Sequence, residues 1–237
     1  MGDQAIWQAE GVQKRAAVQS MFGQIAPTYD RLNGLISFNL HHRWRAYAVS
    51  RLHLKSGDTA LDVCCGTGDF MLPLRNKVGA QGKVVGVDFS LPMLQVACKK
   101  QVPGPVNLGD ACRLPIQTSS IDAVSVGWGI RNVPNIDQAH REFFRVLKPG
   151  GWFVSLDMAR PRIGLMRAAS EFVFNRLVPW LGSKFGKTEA YTYLPKSTQK
   201  FSTREELKES MIAAGFTEVA YKDLFFGNVC CHWGRKP

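Results

Sequence analysis

The sequence predicts an α/β fold: a doubly wound, mostly parallel sheet with helices on both faces, closed by a C-terminal antiparallel hairpin. Three observations carry this. From Thr59 to Met158 short extended runs alternate with segments of helical period, the order that right-handed crossovers between parallel strands require. The first run ends in a Gly-x-Gly turn, Gly66 to Gly68, and sheets of this kind bind ligands at the carboxyl ends of their strands. The last two runs, FTEVAYKDLFF and NVCCHWGRK, have no helix between them, so they pair as a hairpin.

The elements follow in order. A helix is expected over Gly11 to Ile25, then a helical lead-in, YDRLNGLISFNLHHRWRAYAV, with a turn near Asn33 and Gly34. TALDVCC reads as a strand, with Cys64 and Cys65 finishing it; DFMLPLRNKV is a helix, KVVGVDF a strand, and LPMLQVACKK a helix capped by Ser90. VNLGD and SIDAVSVGWG are strands, NIDQAHREFFRVL a helix and GGWFVSLDMA a strand. An apolar and basic helical segment spans Pro161 to Gly186. A polar stretch, YTYLPKSTQKF, and a helix, REELKESMIAAG, precede the hairpin.

At 237 residues, 45% of them hydrophobic and 21% charged, the chain suits one elaborated globular domain. Order is expected beyond the first ten residues. No apolar run approaches the roughly 20 residues of a membrane span, and the N-terminus lacks a signal core, which points to the cytoplasm. Six cysteines include two vicinal pairs and no C-x-x-C, so reduced, buried thiols are expected rather than a zinc site or a disulfide framework. The net charge of +11 attracts nucleic acid, anionic lipid or acidic ligands without choosing among them.

The glycine turn narrows the chemistry. A dinucleotide fingerprint wants a third glycine where Met71 stands, and a Walker loop wants a Lys and a Ser/Thr that are absent. Asp62 and Asp69 bracket the loop and would repel a pyrophosphate. A cation would be welcome there. S-adenosylmethionine carries a sulfonium and an ammonium and no phosphate. Asp88, twenty positions after Gly68, ends the second strand where a carboxylate accepts from both ribose hydroxyls. Asp110 ends the third, where it can accept from an adenine amino group while the N–H of Ala111 donates to the ring.

With these residues in view, the chain resembles the Rossmann-like class I S-adenosylmethionine-dependent methyltransferases, and within them the UbiE/MenG family that C-methylates prenylated quinol precursors. The most specific motif is YDRLNGLISFNLHHRW, which places Tyr29, Asp30, Asn33, Ser37, His41 and Trp44 on the family pattern, with Leu32 for the usual Met. GWGIRNVPN and FRVLKPGGWFVSLDMARP resemble two further signatures, Asp157 and Ala159 standing where Glu and Ser are common. EAYTYLPKSTQKF resembles the lid-like segment, with Ser202 where Pro is frequent.

The resemblance implies one methyltransferase domain over 1–237, with a helical cap over 1–52 and a substrate or lid insertion over 160–202. It implies donor contacts at Thr67, Asp88, Asp110 and Ala111, with Gly66, Gly68 and Asp69 shaping the loop and Gly127 giving a backbone contact where relatives often have Ser. The acceptor expected first is demethylmenaquinol, with the phylloquinone or ubiquinone precursors as alternatives. The reduced ring loses a hydroxyl proton and its carbon attacks the donor methyl. Arg131 and Asn132 are the first candidates to stabilise the phenolate and orient a water, with Asp69 completing the arrangement. His41 is the second candidate for proton transfer, and Tyr29 would shape the ring pocket. No metal is expected, since no His/Cys/carboxylate cluster has ligand spacing.

Between Arg160 and Lys187 six basic residues and one acid interleave with apolar ones, which reads as a peripheral membrane-docking surface. A homodimer is left open. RNA base methylation is the rival reading. It fits the charge, but GWGIRNVPN replaces the Asn/Asp-Pro-Pro-aromatic stretch of base-amino methyltransferases, and no RNA-binding module is appended, so no nucleic-acid partner is expected.

Overall fold

A computed structural model describes residues 11–173, 176 and 188–237. Three helices precede the sheet: α1 (Gly11–Ile25), α2 (Tyr29–Ile36) and α3 (Leu40–Ser50). Helix α2 runs through Asn33 and Gly34 and breaks only at Ser37, later than the sequence suggested. The Asn33 carbonyl accepts both the Ser37 N–H at 3.0 Å and the Ser37 hydroxyl at 2.6 Å, which closes the end of the helix. Phe38 and Asn39 then take φ of 50° and 58°, a left-handed turn that Asn tolerates and Phe does not favour.

Seven strands follow: β1 (Thr59–Val63), β2 (Lys83–Asp88), β3 (Val106–Leu108), β4 (Ile121–Gly127), β5 (Leu147–Met158), β6 (Thr217–Leu224) and β7 (Val229–Arg235). They lie in the order β3-β2-β1-β4-β5-β7-β6. Strands β1 to β5 are parallel, while β7 runs antiparallel to both β5 and β6. Helices α4 (Met71–Val78), α5 (Leu91–Lys99) and α6 (Ile136–Val146) make the crossovers; α7 (Gly164–Phe172), α8 (Thr188–Lys200) and α9 (Arg204–Ala213) lead into the hairpin.

Successive strand residues face opposite sides, so the sheet builds two cores. Leu61, Val63 and Val124 pack on Phe143 of α6 and Met211 of α9. Ala60, Val84 and Ala123 pack on Leu74 of α4 and Val49 of α3. Val63 stands opposite both Val87 and Val126, and Asp88 opposite Leu108. That register brings the loops after β1, β2, β3 and β4 to one edge of the sheet.

Three expectations are corrected here. Strand β1 stops at Val63, and Cys64, at φ 55°, starts the loop rather than finishing the strand. This kink lets the Cys65 N–H reach the Val87 carbonyl at 3.1 Å. Ser90 occupies the N-cap of α5, but its side chain makes no capping bond; the Asp88 carboxylate takes the Ser90 N–H instead, at 2.8 Å. The polar stretch around Pro195 is helical, because Tyr193 of α8 is buried against Val18 and Met21 of α1. Tertiary packing outweighs local composition there. Of the basic segment, α7 is seen, while residues 174–175 and 177–187, like the first ten, lie outside the described residues.

Candidate active site

A cavity of about 740 Å³ opens where the parallel strands end, lined by Gly66, Asp88, Phe89, Asp110, Ala111, Gly127 and Trp128 among others. Among the described residues its wall carries two carboxylates and no Lys, Arg or His. Such a wall repels phosphate and accepts hydroxyls, amines and cations. Asp88 receives the Gly66 N–H and the Ser90 N–H, each at 2.8 Å, so one side chain fixes both the glycine loop and the start of α5. Burial pushes its carboxyl upward, and those N–H bonds pull back. Asp110 receives the Cys112 N–H at 2.9 Å. These residues fit S-adenosylmethionine: acceptors for a ribose and an adenine, an aromatic floor in Phe89, and no cation to oppose a sulfonium.

Two glycines are sterically required at this edge. Gly68 has φ +81°, and a Cβ there would lie 2.5 Å from Val102 Cγ1. At Gly127 a Cβ would meet the Phe70 ring at 2.6 Å. The phenyl occupies the space that a serine side chain would need, so only the backbone of Gly127 faces the cavity.

The two acids that bracket the loop behave differently from the sequence expectation. Asp62 is 1% exposed and lies off the cavity wall. It receives the Ser125 hydroxyl at 2.7 Å, and burial lifts its carboxyl to about 7, so its charge is only partly developed at neutrality. Burial alone would also raise Asp69, but Arg45 at 3.2 Å and Lys100 at 2.7 Å hold it below the usual range. Lys100 bonds Asp30 as well, at 2.7 Å, and Asp30 receives the Thr67 hydroxyl at 2.6 Å. Thr67 and Asp69 therefore tie the loop to α2 and α3 instead of facing the cavity. Two cations answer these two anions, so the loop's electrostatic attraction for a positive ligand falls mainly to Asp88 and Asp110.

A second cavity of about 920 Å³ abuts the first and shares Phe22, Tyr29 and Trp128 with it. Its remaining wall is mostly apolar: Met21, Ile25, Ile36, Trp44, Met158 and Phe225, with His41, Arg45 and Arg131 as its basic groups. His41 is buried, and its Nδ1 lies 2.5 Å from Ser37 Oγ. The Ser37 hydrogen is already given to the Asn33 carbonyl, so Nδ1–H donates to Ser37 and Nε2 is left as an acceptor. Burial, with Arg45 adding to it, lowers the imidazole to about 4 and keeps it neutral. Burial likewise raises Tyr29, with Asn33 partly offsetting it.

Arg131 and Asn132 form a short helical turn after β4. The Arg131 guanidinium pairs with Asp157 at 2.5 Å and donates to the Trp128 carbonyl at 2.9 Å. Asn132 lines the first cavity; its side-chain oxygen receives the Tyr193 hydroxyl at 2.8 Å. The ion pairs found for Asp69 are with Arg45 and Lys100, not with Arg131. Sequence reasoning missed Arg45 and Lys100, whose partners come from distant segments, and Phe22, which nothing in its helix distinguishes. The cysteines of the loop are bystanders: burial and then nearby carboxylates raise both thiols well above their ordinary value. Among the described residues no cluster of His, Cys, Asp and Glu could hold a metal.

Comparison with known proteins agrees with this construction. The chain is 41% identical over 234 residues to a demethylmenaquinone methyltransferase of Desulfitobacterium hafniense, covering 96% of this chain and 92% of that one. It is 38% identical to the enzyme of that name from Lactiplantibacillus plantarum, covering 92% and 95%. The fold is that of a SAM-dependent methyltransferase from Aquifex aeolicus, at TM-score 0.59, 17% identity and coverage of 81% and 88%. It is also that of the [4+2]-cyclase SpnF, at 0.67, 17%, and 98% and 96%. Residues 10–236 match the ubiE/COQ5 methyltransferase family, and the chain belongs to it.

Proposed function

We propose that this chain transfers the methyl group of S-adenosylmethionine to a ring carbon of a reduced, prenylated quinone, with demethylmenaquinol as the acceptor. The observation that carries the reading is the pair of abutting cavities: one acidic and, among the described residues, free of basic side chains, the other apolar and aromatic, divided by Phe22, Tyr29 and Trp128. The names borne by relatives of 38–41% identity support the same acceptor.

Asp88, Asp110, Ala111 and Gly66 hold the donor, Gly68 shapes the turn that presents Gly66, and Gly127 meets the donor through its backbone. Bound there, S-adenosylmethionine supplies an electrophilic methyl on a positively charged sulfur. In the second cavity the ring is stacked against Tyr29 and Trp128. One ring hydroxyl gives its proton to a water ordered by Arg131 and Asn132. The other donates to His41 Nε2, since an imidazole kept this far from protonation is a hydrogen-bond acceptor and a poor proton store. The electron pair of the resulting oxyanion makes the adjacent carbon nucleophilic. A C–C bond forms to the methyl and the C–S pair stays on sulfur; the ring C–H proton then passes to water, returning the electron pair to the ring oxygen, which takes back a proton as aromaticity is restored. The apolar walls exclude water and hold the two carbons in line.

A prenyl tail calls for lipid contact. Exposed Ile163, Leu165 and Phe172, on and beside α7, with Arg162 and Arg167, are the docking face in this reading. No helix among the described residues is long and apolar enough to cross a membrane. Methyl-labelled donor offered with a panel of reduced and oxidised naphthoquinones and benzoquinones tests the function: label should enter reduced naphthoquinones. Label that stays on the donor, or enters oxidised rings equally, refutes it. Co-sedimentation with vesicles should rise with anionic lipid; indifference to lipid charge removes the docking face.

A further inference from the structure

The geometry points to Arg45 as a catalytic residue that binds the acceptor's ring oxyanion, a role that rests on the quinol reading above. Arg45 is 5% exposed and lines the second cavity. Its Nη2 bonds Asp69 at 3.2 Å, while Nε and Nη1 are buried and make no hydrogen bond among the described residues. A desolvated guanidinium with two unspent donors is costly. An anionic oxygen arriving in the cavity discharges that cost.

Position adds to this. The Arg45 guanidinium carbon lies 4.9 Å from the centre of the Trp128 ring, which walls both cavities, and 5.9 Å from that of Phe70. Arg45 is thus at the seam where donor and acceptor meet. The two arginines of the cavity are not equivalent. Arg131 has its own carboxylate, Asp157, at 2.5 Å, whereas Arg45 shares Asp69 with Lys100. More positive charge therefore remains at Arg45 for a ligand. The other ionisable groups that act with it are Asp62, Asp69, His41 and Tyr29. Asp69 is bound to cations, His41 and Tyr29 are neutral near pH 7, and Asp62, lifted to about 7, gains its charge across the lower part of the assay range in wild type and variants alike.

The consequence is a lowered ionisation range for the bound ring hydroxyl. Two measurements test it, on the wild type, Arg45→Lys and Arg45→Met. First, kcat and KM with reduced demethylmenaquinone are followed from pH 6 to 10, alongside donor affinity by calorimetry. Arg45→Met should lower kcat at pH 7 by about 100-fold and move the acid limb of the profile up by about one to two pH units. Arg45→Lys should fall between, and donor affinity should stay within a few-fold. A loss equal at every pH, or one matched by lost donor affinity, overturns the assignment in favour of a structural role through Asp69. Second, 1-naphthol is titrated spectroscopically on the donor-free proteins. On the wild type it should ionise at lower pH than in solution, and on Arg45→Met at higher pH than on the wild type. Wild-type protein that leaves naphthol ionisation unchanged overturns the assignment even if methyl transfer proceeds. Absent methyl transfer with a shifted naphthol titration refutes the quinol reading and leaves the oxyanion site standing.

Discussion

Asp62 gives a sharp test of the electrostatics. Its carboxyl is buried, accepts the Ser125 hydroxyl, and titrates at about 7 in the folded protein against 3.8 unfolded. The sign follows from linkage. Below pH 3.8 the group is protonated in both states and burial carries no ionisation penalty. As pH rises toward 7 the unfolded chain releases this proton and the folded one keeps it, so stability falls, levelling off above 7. A shift of about three pH units corresponds to about 4 kcal/mol. Asp62→Asn keeps an acceptor for Ser125 and never ionises. Its stability relative to wild type should therefore climb with pH, by roughly 2.5 kcal/mol between pH 5 and pH 8. Urea unfolding at pH 5, 6, 7 and 8 measures this, with donor affinity expected to change little because Asp62 is off the wall of the cavity. A stability difference that is flat with pH, or that shrinks toward pH 8, refutes the protonated buried acid.

Asp88→Ala removes the acceptor of two loop N–H groups as well as the ribose partner; calorimetry should find donor affinity weaker by about 100-fold. Gly68→Ala forces a left-handed alanine into the Val102 side chain, costing about 1 to 2 kcal/mol from the backbone alone, and thermal unfolding should move down with it. Arg131→Ala strands a buried Asp157, so stability should fall by about 3 to 5 kcal/mol. In that variant turnover should vanish while the folded fraction binds donor within a few-fold of wild type; persistent turnover would remove Arg131 and its water from the mechanism.

The alternating strands and helices, the sheet-edge positions of Asp88, Asp110 and the glycine loop, and the final hairpin were legible in the sequence, because each follows from local periodicity or a local turn. The electrostatics of the loop were not. Asp62 and Asp69 look alike in the string LDVCCGTGDF, yet one is a buried acid lifted to about 7 and the other a doubly bridged anion, and only partners 24 or more residues away decide which. Arg45 was overlooked for the same reason: its significance lies in two nitrogens that find no partner among the described residues, which no motif records. The helical state of the segment around Pro195 depends on Tyr193 meeting α1, a contact with no local signature.

The thin partition of Phe22, Tyr29 and Trp128 has a consequence for how this scaffold can diversify. Apart from that partition, the donor chamber is furnished by residues 63–134, the middle of the chain, whereas the neighbouring chamber draws largely on 21–45 and 193–229, toward its two ends. Acceptor preference is thereby physically separable from donor preference. Exchanging the terminal segments between relatives should retune which ring is accepted while the methyl source stays the same.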